Sequence, residues 1–206
     1  PDALLKLGFC YQRLGAVVAD AAAKKDAYTQ SKAAYARLIK DYSKDTLVPT
    51  AMIEQAKCMV LLGDSNTALN ELDRFQRDPY RSNPVAPLAI TQFSSLLRAN
   101  KRAVDAVRIV KDCRDRHEKV MERDPLRAAW IPALQYEHAL ATMDTGKLAE
   151  ARAMFDSVTR KYPGSPEAVN SLWRAGQCQR EELVAAITAA EASPSGDGEA
   201  AVNKAV

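Results

Sequence analysis

A glycine, an alanine five residues later, an aromatic four beyond it and a proline eight beyond that recur along this chain, and nothing else constrains its fold so tightly. In the clearest copy these are Gly146, Ala151, Phe155 and Pro163. Gly63, Ala68, Leu72 and Pro79 repeat the order at nearly the same offsets, and Gly15 closes an earlier copy. Self-similarity at a fixed period specifies a stack of like units, each too small to bury its apolar face alone. Aligned on a small residue, the copies place Gly8, Ala56, Phe93, Ala139 and Gly176 in one slot, with spacings of 48, 37, 46 and 37. Seven residues on come Gly15, Gly63, Asn100 and Gly146, residues that tolerate the left-handed backbone of a helix C-terminus. The fifth copy has Leu183 at that place and reads as a degenerate cap.

Proline marks the phase a second time. Pro1, Pro49 and Pro132 share one repeat position and Pro87 lies one residue off, as suits the first residue of a helix, where no hydrogen bond is lost. First helices are therefore predicted over 2–14, 48–62, 86–99, 132–145 and 166–180. Second helices follow over 16–42, 65–77, 101–123, 147–161 and 182–192, and residues 126–130 form a separate turn before Pro132. The alanine-rich stretch 19–27 extends the first of these second helices. Residues 78–87 read as an ordered connector, and the Ser/Pro/Gly-rich residues 193–206 as a flexible tail. The expected architecture is all-α, a right-handed solenoid of about five helix pairs with repeats over 1–48, 49–86, 87–131, 132–165 and 166–192.

Composition agrees. Apolar residues make up 47% of the 206 and aromatics only 6%, a balance suited to close helix packing rather than to a sheet. The net charge of +3 arises from interleaved signs, so nucleic acid is not an expected partner. No apolar stretch is long enough to cross a membrane. The start at Pro1-Asp2-Ala3 carries no signal peptide and reads as the beginning of a fragment.

These residues resemble the tetratricopeptide repeat family over nearly all of residues 1–192. The segments 35–45 (Tyr35 to Asp45) and 155–165 (Phe155 to Ser165) are most similar to bacterial cell-envelope repeats, those of the Tol-Pal coordinating protein and of the outer-membrane-assembly lipoprotein. Ser43 stands where that subgroup has proline. The resemblance implies that first helices line a concave groove holding a peptide or helix. Carried over by repeat position, the groove comprises Leu5, Phe9 and Arg13, then Ile53, Lys57 and Leu61, then Ile90 and Arg98. Tyr136 and Leu140 continue it, and Trp173 and Arg174 complete it. One subtype of the family grips chaperone C-termini with a Lys/Asn clamp, but Leu5 and Phe9 occupy those positions here. A mixed apolar and cationic groove suits an amphipathic helix or an acidic-apolar segment instead.

Catalytic or metal chemistry is not expected. Cys10, Cys58 and Cys178 each follow the small slot by two residues, where Cys behaves as a small hydrophobe between helices. Cys113 and His117 share a helix face, but two ligands do not make a zinc site. His138 reads as a hydrogen-bonded interior histidine. The stripe Val104, Val107, Val110, Cys113, His117 and Val120/Met121 is expected to be the buried face of an otherwise solvated helix. No phosphate loop, dinucleotide fingerprint, nucleophile elbow or zinc-protease motif occurs. With no cofactor in view, the expected function is a non-catalytic protein-interaction scaffold in a bacterial envelope assembly. Four apparently unpaired thiols point the other way, to a reducing compartment. The competing reading is an architectural solenoid that self-associates through its outer helices.

Overall fold

The computed structural model describes residues Pro1–Ala192, so the tail expected over 193–206 lies outside the described residues. Among the described residues every regular element is a helix. In chain order these are α1 (Asp2–Val17), α2 (Ala21–Asp41), α3 (Val48–Leu61), α4 (Ser65–Asp73) with a 3₁₀ turn at Arg74–Gln76, and α5 (Ala86–Ala99). There follow α6 (Ala103–Met121), α7 (Pro125–Ala128), α8 (Ile131–Asp144), α9 (Leu148–Lys161) and α10 (Pro166–Ala192). They form two compact units that divide between Leu96 and Leu97. In each unit consecutive helices pack on one another, as in a tetratricopeptide-like solenoid.

In the first unit α1 packs on α2, α2 on α3 and α3 on α4. α1 approaches α2 closely because Gly8 and Gly15 face the rings of Tyr35 and Tyr28. Tyr35, Leu38, Ala56, Leu72 and Phe75 are essentially fully buried between these helices. A buried side chain of this size contributes about 1.5–3 kcal/mol of transfer free energy. Polar atoms fasten the same contact. Gln12 Nε2 donates to the Glu54 carbonyl at 3.2 Å and to Cys58 Sγ at 3.3 Å. The Cys58 thiol donates to Ser31 Oγ at 3.3 Å, and Ser31 in turn to the Gly8 carbonyl at 2.8 Å. One chain of hydrogen bonds thus joins α1, α2 and α3.

In the second unit α6 packs on α8, α8 on α9 and α9 on α10. Ala139, Ala151, Phe155, Ala175 and Cys178 form a single apolar cluster, with Tyr136 and Met143 against its side. α8 is covered nearly all round, with Leu134, Ala139 and Ala141 at 0% exposure, because α6 and α9 flank it. Across this unit Arg98 Nε donates to Asp144 at 2.7 Å and its other nitrogen to Glu137 at 3.1 Å.

Local signals set several boundaries as expected. Proline occupies the first turn of α3 and α8, and α7 is the separate turn before Pro132. Gly63 and Gly146 hold φ of +85° and +82° at the turns into α4 and α9. Asp64 caps α4 by accepting from the Thr67 amide at 3.2 Å.

Five expectations require correction. Gly15 is not a turn: α1 runs on to Val17, and the break falls at residues 18–20, where Asp20 accepts from the Ala23 amide and starts α2. The left-handed residue after α5 is Lys101, with φ of 59°, not Asn100. Cys10 is exposed, because the side of α1 that carries it faces away from α2. Val104 and Val120 are 75% and 52% exposed; of the expected pair Val120/Met121 only Met121 is buried, and Ala106 and Ile109 complete the buried stripe of α6. The expected turn at Leu183 does not form. α10 is one unbroken helix of 27 residues, since no glycine or proline in 179–186 interrupts a run of good helix formers.

Candidate interaction face

The face that the first helices present in the first unit is built by the bonds just described. Gln12 ties α1 to α3, which fixes the neighbouring Phe9 and Arg13 on α1. Phe9 rests edge-on against Tyr35, ring centroids 6.0 Å apart, and keeps 37% of its surface in solvent. On α3, Lys57 Nζ lies 2.6 Å from Glu54 Oε1, a pair in which the carboxylate is mostly buried and the ammonium half-exposed. Leu61, one turn on, is 55% exposed. α3 and α5 together bound a groove of ≈ 340 Å³, lined by Val60, Leu61 and Leu96 with Lys57, Gln92 and Ser95 around them. Its wall is mostly apolar, and its one charged lining residue is cationic.

The residues singled out from sequence divide into three groups. Leu5, Ile53, Ile90 and Leu140 are at most 8% exposed and belong to the interiors of their units. Arg98 is held by Glu137 and Asp144, and Tyr136 stacks on Phe155 with centroids 5.7 Å apart. Phe9, Arg13, Lys57, Leu61 and Trp173 face solvent. The guanidinium of Arg174 lies 4.7 Å from the centroid of the Trp173 ring and donates to Gln177 at 2.8 Å. The groove residues Gln92, Ser95 and Leu96 were missed. Ile90, expected there, is buried. Phe93, in the small slot, is buried as Ala56 is in the same slot of α3.

A second, polar pocket of ≈ 470 Å³ lies between α6 and α8 in the second unit. Arg114 Nε donates to Glu118 at 2.6 Å, and its NH1 reaches His138 Nδ1 at 2.9 Å. Gln135 donates to Glu118 and to Tyr162 Oη. A guanidinium can only donate, so Nδ1 accepts and the proton of the neutral ring sits on Nε2. Burial and the Arg114 charge push the His138 pKa down to about 4. Lys111, Arg114 and Lys119 are balanced by Asp115, Glu118 and Glu122, so the pocket has no net charge with which to choose an ion. No group of three metal-ligating side chains occurs among the described residues, and no described helix is long and apolar enough to cross a membrane.

Comparison with known families bears on two of the helix pairs. Two segments, residues 2–45 and 133–165, match the tetratricopeptide repeat. They correspond to α1 with α2 and to α8 with α9, the helix pairs closed by Tyr28 and Tyr35 in one unit and by Phe155 in the other. No curated protein matches the chain. Tetratricopeptide repeats generally mediate protein–protein interaction and scaffolding.

Proposed function

We propose that this chain is a non-catalytic interaction scaffold that holds a peptide or helix on its first-helix face, with the α3–α5 groove as the principal pocket. The observation that carries the reading is the pairing of an apolar groove with Lys57 at its side and the exposed apolar Leu61 on its wall. Apolar anchors in such a groove supply most of an interface's affinity, and a cation beside them orients a partner that carries acidic residues. The partner chemistry is therefore an acidic-apolar segment. The likeness of residues 35–45 and 155–165 to cell-envelope repeats supports seeking it among bacterial envelope proteins.

The test is selection of peptides from a displayed random library, followed by titration against variants. Peptides bound by the wild-type chain should lose at least tenfold in affinity on Leu61→Asp and favour basic over acidic sequences on Lys57→Glu. Arg108→Glu, at an exposed position of α6, should leave affinity unchanged. Peptides indifferent to Leu61→Asp and sensitive to the α6 change would overturn the assignment.

A further inference from the structure

In the first unit the cleft between neighbouring first helices is closed at one step and open at the next. A shift of 48 residues carries Lys57, Val60 and Leu61 of α3 onto Phe9, Gln12 and Arg13 of α1, and a shift of 37 carries Ser95 of α5 onto Cys58 of α3. Between α1 and α3, Gln12 Nε2 crosses the cleft to Cys58 Sγ at 3.3 Å and to the Glu54 carbonyl at 3.2 Å. Between α3 and α5 the place of Gln12 is taken by Val60, which has no amide to donate, and the place of Cys58 by Ser95. Both line the open groove of ≈ 340 Å³.

That groove is poor in hydrogen-bonding groups. Among its lining side chains Lys57 is held by Glu54 at 2.6 Å, and only Gln92 and Ser95 offer uncharged polar atoms. Neighbouring first helices pack about 8–10 Å apart. An extended chain crossing that distance lays about three residues on the wall, and each brings an N–H and a C=O that need partners. A helix arrives with its backbone bonded to itself and offers only side chains. One repeat back, the closed cleft presents the part-exposed ring of Phe9 and the guanidinium of Arg13. Arg13 is exposed and has no ion-pair partner among the described residues.

We infer that the partner of the groove is an amphipathic helix with an acidic residue two turns from its apolar anchor. The anchor enters between α3 and α5, and the carboxylate meets Arg13. This rests on the groove reading above and adds to it the partner's conformation and spacing. At about 1.5 Å per residue, the step from one cleft to the next takes about six to seven residues of helix. A separation of seven is close to two turns, so anchor and carboxylate share one face, and an apolar residue three or four from the anchor continues it. The same step takes about three residues of extended chain. The charges are complementary, because no carboxylate among the described residues pairs with Arg13.

The probe is a displayed random library of peptides about twenty residues long, enough for a helix of roughly 30 Å, selected on the full chain. Peptides whose binding needs Leu61 should carry apolar pairs three or four residues apart, with Asp or Glu seven residues from one member. Difference circular dichroism should show them gaining helicity on binding, and a central proline should cost at least about tenfold in affinity. Arg13→Glu should weaken them about fivefold, and lysine in place of the acidic residue should restore binding to this variant and not to wild type. Leu61-dependent peptides that gain no helicity and tolerate the proline overturn the inference, as do helical ones indifferent to Arg13→Glu. Either result leaves the groove reading standing. A library that yields no Leu61-dependent peptide overturns the groove reading and this inference together.

Discussion

The ring of Tyr35 occupies the space that a side chain at Gly8 would need: a Cβ there would sit 2.3 Å from Tyr35 Cε1. The ring is fully buried and its neighbours Phe9, Ser31 and Leu38 leave it little freedom to move. Gly8→Ala should therefore destabilise the first unit by about 2 kcal/mol or more, despite alanine's better helix propensity. Gly176→Ala, the same change in the same repeat slot but in open space, should stabilise α10 by up to about 1 kcal/mol. Urea unfolding of both variants checks the pair. Opposite expectations at equivalent positions isolate packing from propensity.

Lys101 adopts φ of 59° where Gly63 and Gly146 adopt φ of +85° and +82°. Its turn is closed in the same manner: the Arg102 amide donates to the Leu97 carbonyl at 2.9 Å, as the Asp64 amide does to Met59 at 2.8 Å. Lys101→Gly should stabilise by a few tenths to about 1 kcal/mol, by relieving the left-handed strain of a residue with a Cβ. Gly63→Val should cost at least about 1 kcal/mol through the backbone alone, because among the described residues no atom lies within 4 Å of the added Cβ. Thermal unfolding midpoints should move in opposite directions for the two variants.

The four thiols should divide three to one. Cys10 is exposed, whereas Cys58, Cys113 and Cys178 are buried. Burial pushes the Cys113 pKa up to about 12 and raises that of Cys178 as well, which keeps both as unreactive thiols. A thiol reagent should label one cysteine per chain at once and the other three only as fast as the protein opens. Peptide mapping should place the fast label on Cys10.

His138 gives the second unit a pH dependence of known sign. Its folded pKa of about 4 lies below the ordinary 6.5, because burial and Arg114 oppose the charged ring. The unfolded chain then binds the proton first, so this stabilisation is complete above about pH 6.5 and is lost as the pH falls toward 4. At about 1.4 kcal/mol per pKa unit, the loss between pH 7 and pH 4.5 is roughly 2–3 kcal/mol. His138→Gln keeps an acceptor for Arg114 and cannot titrate. The variant should lose less stability than wild type over that interval in urea titrations at the two pH values.

What the sequence determined by itself was the set of features that one residue can impose on its own backbone. Pro49 and Pro132 start helices because their φ is fixed, and Gly63 and Gly146 end turns because they alone accept positive φ without cost. The repeat period followed from these, and with it the all-α class and the pairing of consecutive helices. The tertiary structure decided whatever depends on a neighbour far along the chain. Gly15 could be a turn or a close contact, and only the position of Tyr28 makes it a contact. Cys10 and Cys58 occupy the same repeat slot, yet only Cys58 has another helix against it. On α5 the groove is lined by Gln92, Ser95 and Leu96, whereas Ile90, carried over by repeat position, is buried. At Leu183 local preference and repeat logic disagreed, and helix propensity prevailed because no glycine permitted the chain to reverse. Burial is a property of pairs of helices, and a residue's repeat position specifies it only when both members of the pair are present.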